Sequence, residues 1–333
     1  MSKELTVVVG TVGDGVWSSP DGGNQWTKSK MQLPFHAMPG EIQIRALAVS
    51  PQDPAVIYAG SEVGIYRSDD KGSTWKLIES PMDGLQIWSI AVHLTDPDVI
   101  LAGTKPPAVF RSTNGGKQWE KLRVPLAEEC FTGAPKVTSI VFDPRDSRVI
   151  WAGAEIDGIF RSGDNGDAWT RLPTLGDGQL NQDIHCIAIS RASPPKLLST
   201  TPDGIWHSTD EGETWTLHEF PPFEPDTGVS YCRAVIVKPD DPNVVFVANG
   251  DSIPGDQGRI YRSKDGARTW EALTLPAQPN SNIYWLAAHP AEPNFVVATS
   301  IYGYIYTSRD AGDSWTKSKR EFGEVRALAC TPS

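Results

Sequence analysis

Basic charge is scarce in this chain. Thirty Lys and Arg stand against forty-one Asp and Glu, a net charge of −11. Nucleic acid and anionic membrane surfaces both reward basic proteins, so neither is expected as a partner. Long apolar runs are missing as well, and no stretch approaches the roughly 18 residues that a membrane helix needs. Cysteine is rare. The four present, Cys130, Cys186, Cys232 and Cys330, lack the spacing of a metal site. Three of them fall in expected strands, where Cys behaves as a small hydrophobe. No disulfide, metal or cofactor is expected. The N-terminal residues through Gly10 read as a strand, without an apolar stretch and small-residue cleavage site, so the expected compartment is the cytoplasm. Sustained helical periodicity is almost absent.

What is present is a repeat. Seven copies of Ser-x-Asp/Asn-x-Gly-x-x-Trp begin at Ser19, Ser68, Ser112, Ser162, Ser208, Ser263 and Ser308. Their tryptophans, from Trp26 to Trp315, are 49, 44, 50, 46, 55 and 45 residues apart. A period of this length suits a unit of four strands. In the second unit the strands read Ile44–Pro51, Val56–Gly60, Gly64–Ser68 and Trp75–Glu79, here called A to D. Each is short, rich in β-branched and aromatic residues, and bounded by Gly, Pro or Asp. The box is the C–D hairpin. Its Asp and Ser oxygens can accept backbone N–H bonds, its Gly supplies a conformation other residues resist, and its Trp fills a gap between sheets. Asn114 replaces Asp in the third copy, which keeps the acceptor. Ala267 replaces Gly in the sixth, which predicts a distorted turn.

These boxes resemble the Asp-box, or bacterial neuraminidase (BNR), repeat, and the match runs through all seven units. The resemblance implies a β-propeller. It points to function only loosely, since the superfamily includes sialidases, xyloglucanases, sortilin and photosystem II assembly factors. The sialidase analogy implies six blades and an Arg-Ile-Pro motif after the first strand, and the chain has seven boxes and no such motif there. Xyloglucanases use two facing propellers, sortilin-like receptors carry disulfide-rich modules, and the assembly factors carry lumenal targeting segments. The chain looks most like the small bacterial members labelled glycosyl hydrolase.

The ends predict how the ring closes. Leu5–Gly10 reads as a strand B with no strand A before it, and Val325–Pro332 as a strand A with nothing after it. The expected architecture is all-β: a single seven-bladed propeller over residues 1–333. The C-terminal strand A joins the N-terminal strands B to D and removes an open edge.

Strand A aligns without gaps across the units. Its second position holds Arg326, Arg45, Trp88, Thr138, His185, Arg233 and Tyr284 in blade order. Two residues earlier stand Glu324, Gln43, Gln86, Lys136, Asp183, Tyr231 and Asn282. Further along, the strands are apolar. One mouth of the central channel is therefore expected to be polar, and polar groups crowded where packing would favour apolar ones tend to mark sites. The plain alternative is a hydrated mouth with internal salt bridges, such as Glu324 with Arg45.

The candidate chemistry follows from residue type. Arg233, Tyr284, Arg326 and Arg45 are consecutive around the ring, so the three guanidiniums would clamp a small carboxylate-bearing anion, a sugar acid or aromatic acid. Tyr284 between two arginines should have a lowered pKa. His185 and Tyr284 are the candidate catalytic proton-transfer pair for a hydrolysis or an elimination. Trp88 and Tyr231 are placed to stack on substrate, with Lys136, Gln43, Gln86, Asn282 and Asp183 as further binding residues. Acids in the B–C loops, Asp14, Glu62, Glu155, Asp157, Asp203, Asp251 and Asp256, could face the same mouth. The segments 32–40 with His36, 217–228 and 250–258 are candidate lids. The rival reading is a non-enzymatic propeller that docks a protein partner.

Overall fold

The chain, seen in a computed structural model, is described over residues 4–34, 42–223 and 230–333. Seven sheets, each built on four antiparallel strands, follow one another in chain order. Their inner strands are Val325–Pro332, Ala46–Val49, Gln86–Val92, Val137–Phe142, Cys186–Ser190, Tyr231–Lys238 and Ile283–His289, for blades 1 to 7. Each inner strand packs on the next, and the seventh meets the first, so the ring is complete. Closure runs as expected, with Leu5 paired to Pro332 and Thr11 to Val325 across an antiparallel seam. No α-helix occurs among the described residues, only one 3-10 turn at Gln179–Gln182.

The core is made of the faces between blades. Strands A to C alternate Val, Ile, Leu and aromatic residues, and Trp75, Trp151, Tyr58, Tyr66 and Tyr306 are among the largest fully buried side chains. All four cysteines are free thiols. Cys186, Cys232 and Cys330 are buried, and burial raises all three thiol pKa values.

The boxes form the rim opposite the polar mouth. In all seven the serine Oγ accepts the N–H four residues on, at 2.8–2.9 Å. The fifth box position takes φ +86 to +99 where it is Gly and +68 where it is Ala267. Ala267 keeps the serine bond at 2.8 Å, so the turn it was expected to distort is retained. Five box tryptophans donate to the carbonyl of the box glycine, at 2.9–3.1 Å. Trp215 and Trp270 have buried Nε1 groups without a partner among the described residues.

Two devices were not expected. Lys30–Met31 runs parallel to Thr74–Trp75 as a fifth strand on the outer edge of blade 2. The residue preceding the box serine is Arg in four blades, and three of these arginines reach the next blade's box. Arg111 binds Asp167 and the Asn165 carbonyl, Arg161 binds Glu211, and Arg262 binds Asp313 and the Ala311 carbonyl.

Candidate functional site: the polar mouth of the channel

The side chains aligned from sequence do converge on one end of the inner strands, but they are bonded more closely to the protein than expected. His185 is 3% exposed. Its Nδ1 lies 2.6 Å from the Cys232 carbonyl of the next blade. A carbonyl only accepts, so Nδ1 carries a hydrogen. Nε2 faces the Tyr231 hydroxyl at 2.8 Å and the Asp183 carboxylate at 3.2 Å. A neutral ring accepts from Tyr231, whereas a charged one donates to Asp183. Burial raises the Tyr231 pKa, so that hydroxyl keeps its proton. Burial also opposes ionisation of Asp183, but His185, with Lys136 and Arg233, holds its carboxyl below the usual range.

The adjoining group is Arg233, Tyr284 and Arg326. Arg233 is buried and donates to the His185 carbonyl at 3.1 Å and to the Tyr284 hydroxyl at 2.9 Å. The Arg326 guanidinium lies 4.9 Å from the Tyr284 ring centre and pairs with Glu324. Burial alone would push the Tyr284 phenol up. The two arginines outweigh it and bring the pKa down to about 8. The suggested Glu324–Arg45 bridge is not formed, because Glu324 is taken by Arg326 on its own strand.

On the other side of the mouth Arg45 donates to Gln43 and sits over the Trp88 ring at 4.4 Å. Its Nε is buried without a partner, and it forms no ion pair among the described residues. Burial and the Arg326 charge both lower its pKa. Lys136 pairs with Glu155 and lies 4.6 Å from the Trp88 ring centre. Trp88 donates to Gln86 at 3.1 Å. Two cations already cover its ring, so it is not a bare wall for a sugar. Asn282 is fully buried and donates to the Ser252 carbonyl at 2.9 Å. Thr138 donates to the Ile184 carbonyl.

The loop acids are mostly engaged. Asp14 pairs with Lys28, Asp157 with Arg171, and Glu62 accepts the Gln43 N–H. Asp251 accepts N–H bonds from its own loop. Segment 250–258 is thus a folded turn. The lid expectations for 35–40, His36 included, and 224–228 lie outside the described residues.

One channel residue escaped the alignment. Trp285 lines the bore and donates to the Arg326 carbonyl. The equivalent residues are Ala327, Ala46, Ser89, Ser139, Cys186 and Ala234, so a tryptophan among small residues was the available signal. Among the described residues no cluster of His, Cys, Asp or Glu could hold a metal ion.

With the fold and mouth described, kinship can be judged. The profile of the family described as Sortilin-Vps10 (sortilin, neurotensin receptor 3) matches residues 63–174 and 203–329. The chain belongs to the Sortilin-Vps10 family. Among curated proteins, a probable oligoxyloglucan-reducing end-specific xyloglucanase of Neosartorya fischeri is 24% identical over 284 residues, covering 82% of this chain and 32% of that protein. The chain thus spans about a third of that relative's length. Among solved structures, the GH74 xyloglucanase from Xanthomonas campestris gives a TM-score of 0.68 at 20% identity, over 98% of this chain and 52% of that one. YCF48 from Cyanidioschyzon merolae gives 0.62 at 15% identity, over 89% and 97%. YCF48 bound to D1 peptide gives 0.57 at 17% identity over 83% and 81%. At these identities the structural likeness speaks for the fold. This member of the family is a seven-bladed propeller.

Proposed function

We propose that the polar mouth binds a small carboxylate-bearing molecule, and that Arg45 is its anchor. The observation that carries this is that Arg45, on the wall of the channel cavity, has a buried Nε without a partner among the described residues. The other cations are engaged: Lys136 with Glu155, Arg326 with Glu324, and Arg233 with Tyr284 and a carbonyl. A carboxylate satisfies a guanidinium edge with two parallel hydrogen bonds. Tyr284, with a pKa of about 8, is the group best suited to exchange a proton near neutrality. His185, tied to Tyr231 and Asp183, is the second. Together they would serve a hydrolysis or an elimination. A two-carboxylate glycosidase mechanism is less well supported, because Asp183, Glu155 and Glu324 are each held by a cationic or imidazole partner.

Calorimetric titration tests the reading, with galacturonate and benzoate against their uncharged amides. The carboxylates should bind at least about tenfold more tightly, and Arg45→Gln should abolish that preference while the protein stays folded. Equal binding of acid and amide would sink the anchor role.

A second reading, docking of a protein partner, has its own support. Among the described residues, the exposed large apolar side chains, Leu33, Phe131, Leu180, Ile253 and Tyr302, all lie in connections between strands on the mouth face. The fold neighbour YCF48 has been solved with a bound peptide.

A further inference from the structure

Below Arg45 the channel changes character. The upper cavity, about 170 Å³, includes Ser89, Thr138 and Ser139 in its wall. Their hydroxyls are engaged. Ser89 donates to the Val137 carbonyl at 2.8 Å, Thr138 donates to Ile184, and Ser139 accepts the Ile187 N–H at 3.1 Å. Trp88 and Trp285 are also bonded through their indole N–H groups. Arg45 Nε is therefore the one unpartnered buried side-chain polar atom on this wall among the described residues.

Lower down lies a second cavity of about 420 Å³. The two share Val141 and Ile187 in their walls, so they adjoin. Every side chain lining the lower cavity is apolar, Ile189, Ile236, Val237 and Leu286 among them. Val141, Ala188, Ile189 and Ile236 are half-buried, not sealed inside the blades. Apolar surface facing a wet bore is a standing unfavourable contact that a fitting ligand removes.

Resting on the reading of Arg45 as a carboxylate anchor, we infer that the channel takes an amphiphilic carboxylate. Its head lies on Arg45 and its unbranched apolar tail runs down the lower bore. The level of Val237 and Ala288 is four strand positions below that of Arg45 in the aligned inner strands. That is about 13 Å at ~3.3 Å per residue. An extended alkyl chain of roughly ten carbons covers it, given carbon–carbon bonds of ~1.5 Å. The inner strands pair on one side only, so backbone N–H and C=O groups also face the bore.

The test titrates decanoate, octanoate, butyrate and decan-1-ol, each below its aggregation limit, into the whole protein by calorimetry. Burial of a methylene tightens binding roughly fourfold, so decanoate should exceed octanoate by about fifteenfold and butyrate by far more. Decan-1-ol should bind at least about tenfold more weakly than decanoate. Arg45→Gln should weaken decanoate and butyrate alike. Ile236→Thr, which is smaller and sets a hydroxyl into the apolar wall, should weaken decanoate several-fold and leave butyrate unchanged, and Ala188→Leu, which narrows the bore, should do the same. A thermal melt confirms that each variant folds. If butyrate and decanoate bind equally and both depend on Arg45, the tail site is overturned and the mouth reading stands. Decan-1-ol binding as tightly as decanoate overturns the amphiphile. Failure of every carboxylate to bind overturns both.

Discussion

At the rim of boxes the serine oxygen makes one and the same bond in all seven blades, within 2.8–2.9 Å. At the mouth, the seven aligned residues are three arginines and one each of Trp, Thr, His and Tyr, with seven different sets of partners. Both regions belong to the same repeat. The rim shows what a blade needs in order to exist. The mouth shows what a blade is free to vary once the ring is closed. Variation that departs from apolar packing, and leaves a donor such as Arg45 Nε unpaired among the described residues, is the ground on which the mouth is proposed as a site.

This contrast can be broken most forcefully at the rim. Trp75 is 2% exposed and plugs the seam between blades 1 and 2. Trp75→Ala should cost about 3–5 kcal/mol, read as a lowered midpoint in urea. A loss below about 1 kcal/mol would mean the boxes are not the structural half of the repeat.

At the mouth the expected effect is smaller and depends on pH. The folded Tyr284 pKa of about 8 lies below the ordinary phenol value of about 10. A lowered acid pKa contributes stability that is complete above the unfolded value and is lost as pH falls through the folded one. Wild type should therefore gain roughly 2 kcal/mol over Tyr284→Phe as pH rises from about 8 to about 10, and no gain of this origin should appear at pH 6. Arg233 and Arg326 carry the effect, so a flat difference between the two proteins would show that they do not act on the phenol.

The smallest effect sharpens the rim rule. Ala267 holds φ +68, a backbone state that glycine adopts freely. Ala267→Gly relieves that strain but removes a buried methyl and frees the unfolded chain. The net change in the same urea experiment should stay within about 1 kcal/mol. A larger loss would mean that the methyl, 3% exposed in the seam cluster, holds blade 6 in place.

Blade count and closure were legible because boxes and strand edges are local patterns: Ser19 through Trp26 states a hairpin by itself. The mouth was legible as a set of positions, since strand A aligns without gaps. The bonds made there were not. His185 meets Cys232 and Arg111 meets Asp167 only because neighbouring blades bring together residues some 47 and 56 positions apart. Which rotamer fits is decided by packing, which leaves no periodic trace. Trp285 stands one residue past Tyr284, on the alternate face of the strand from the aligned polar positions, where no polar pattern marks it.

The terminal seam has a mechanical meaning. Leu5 lies opposite Pro332, and the Ser333 N–H reaches the Glu4 carbonyl at 3.0 Å, so both chain ends leave the ring at the same corner of one antiparallel pair. A force applied to the two ends does not load the seam's hydrogen bonds together, as it would if the ends lay at opposite corners. It meets them in sequence, Leu5–Pro332 first and Thr11–Val325 last, in the manner of a zipper. A ring in which every blade is wedged between two others has one place where a modest directed pull can start.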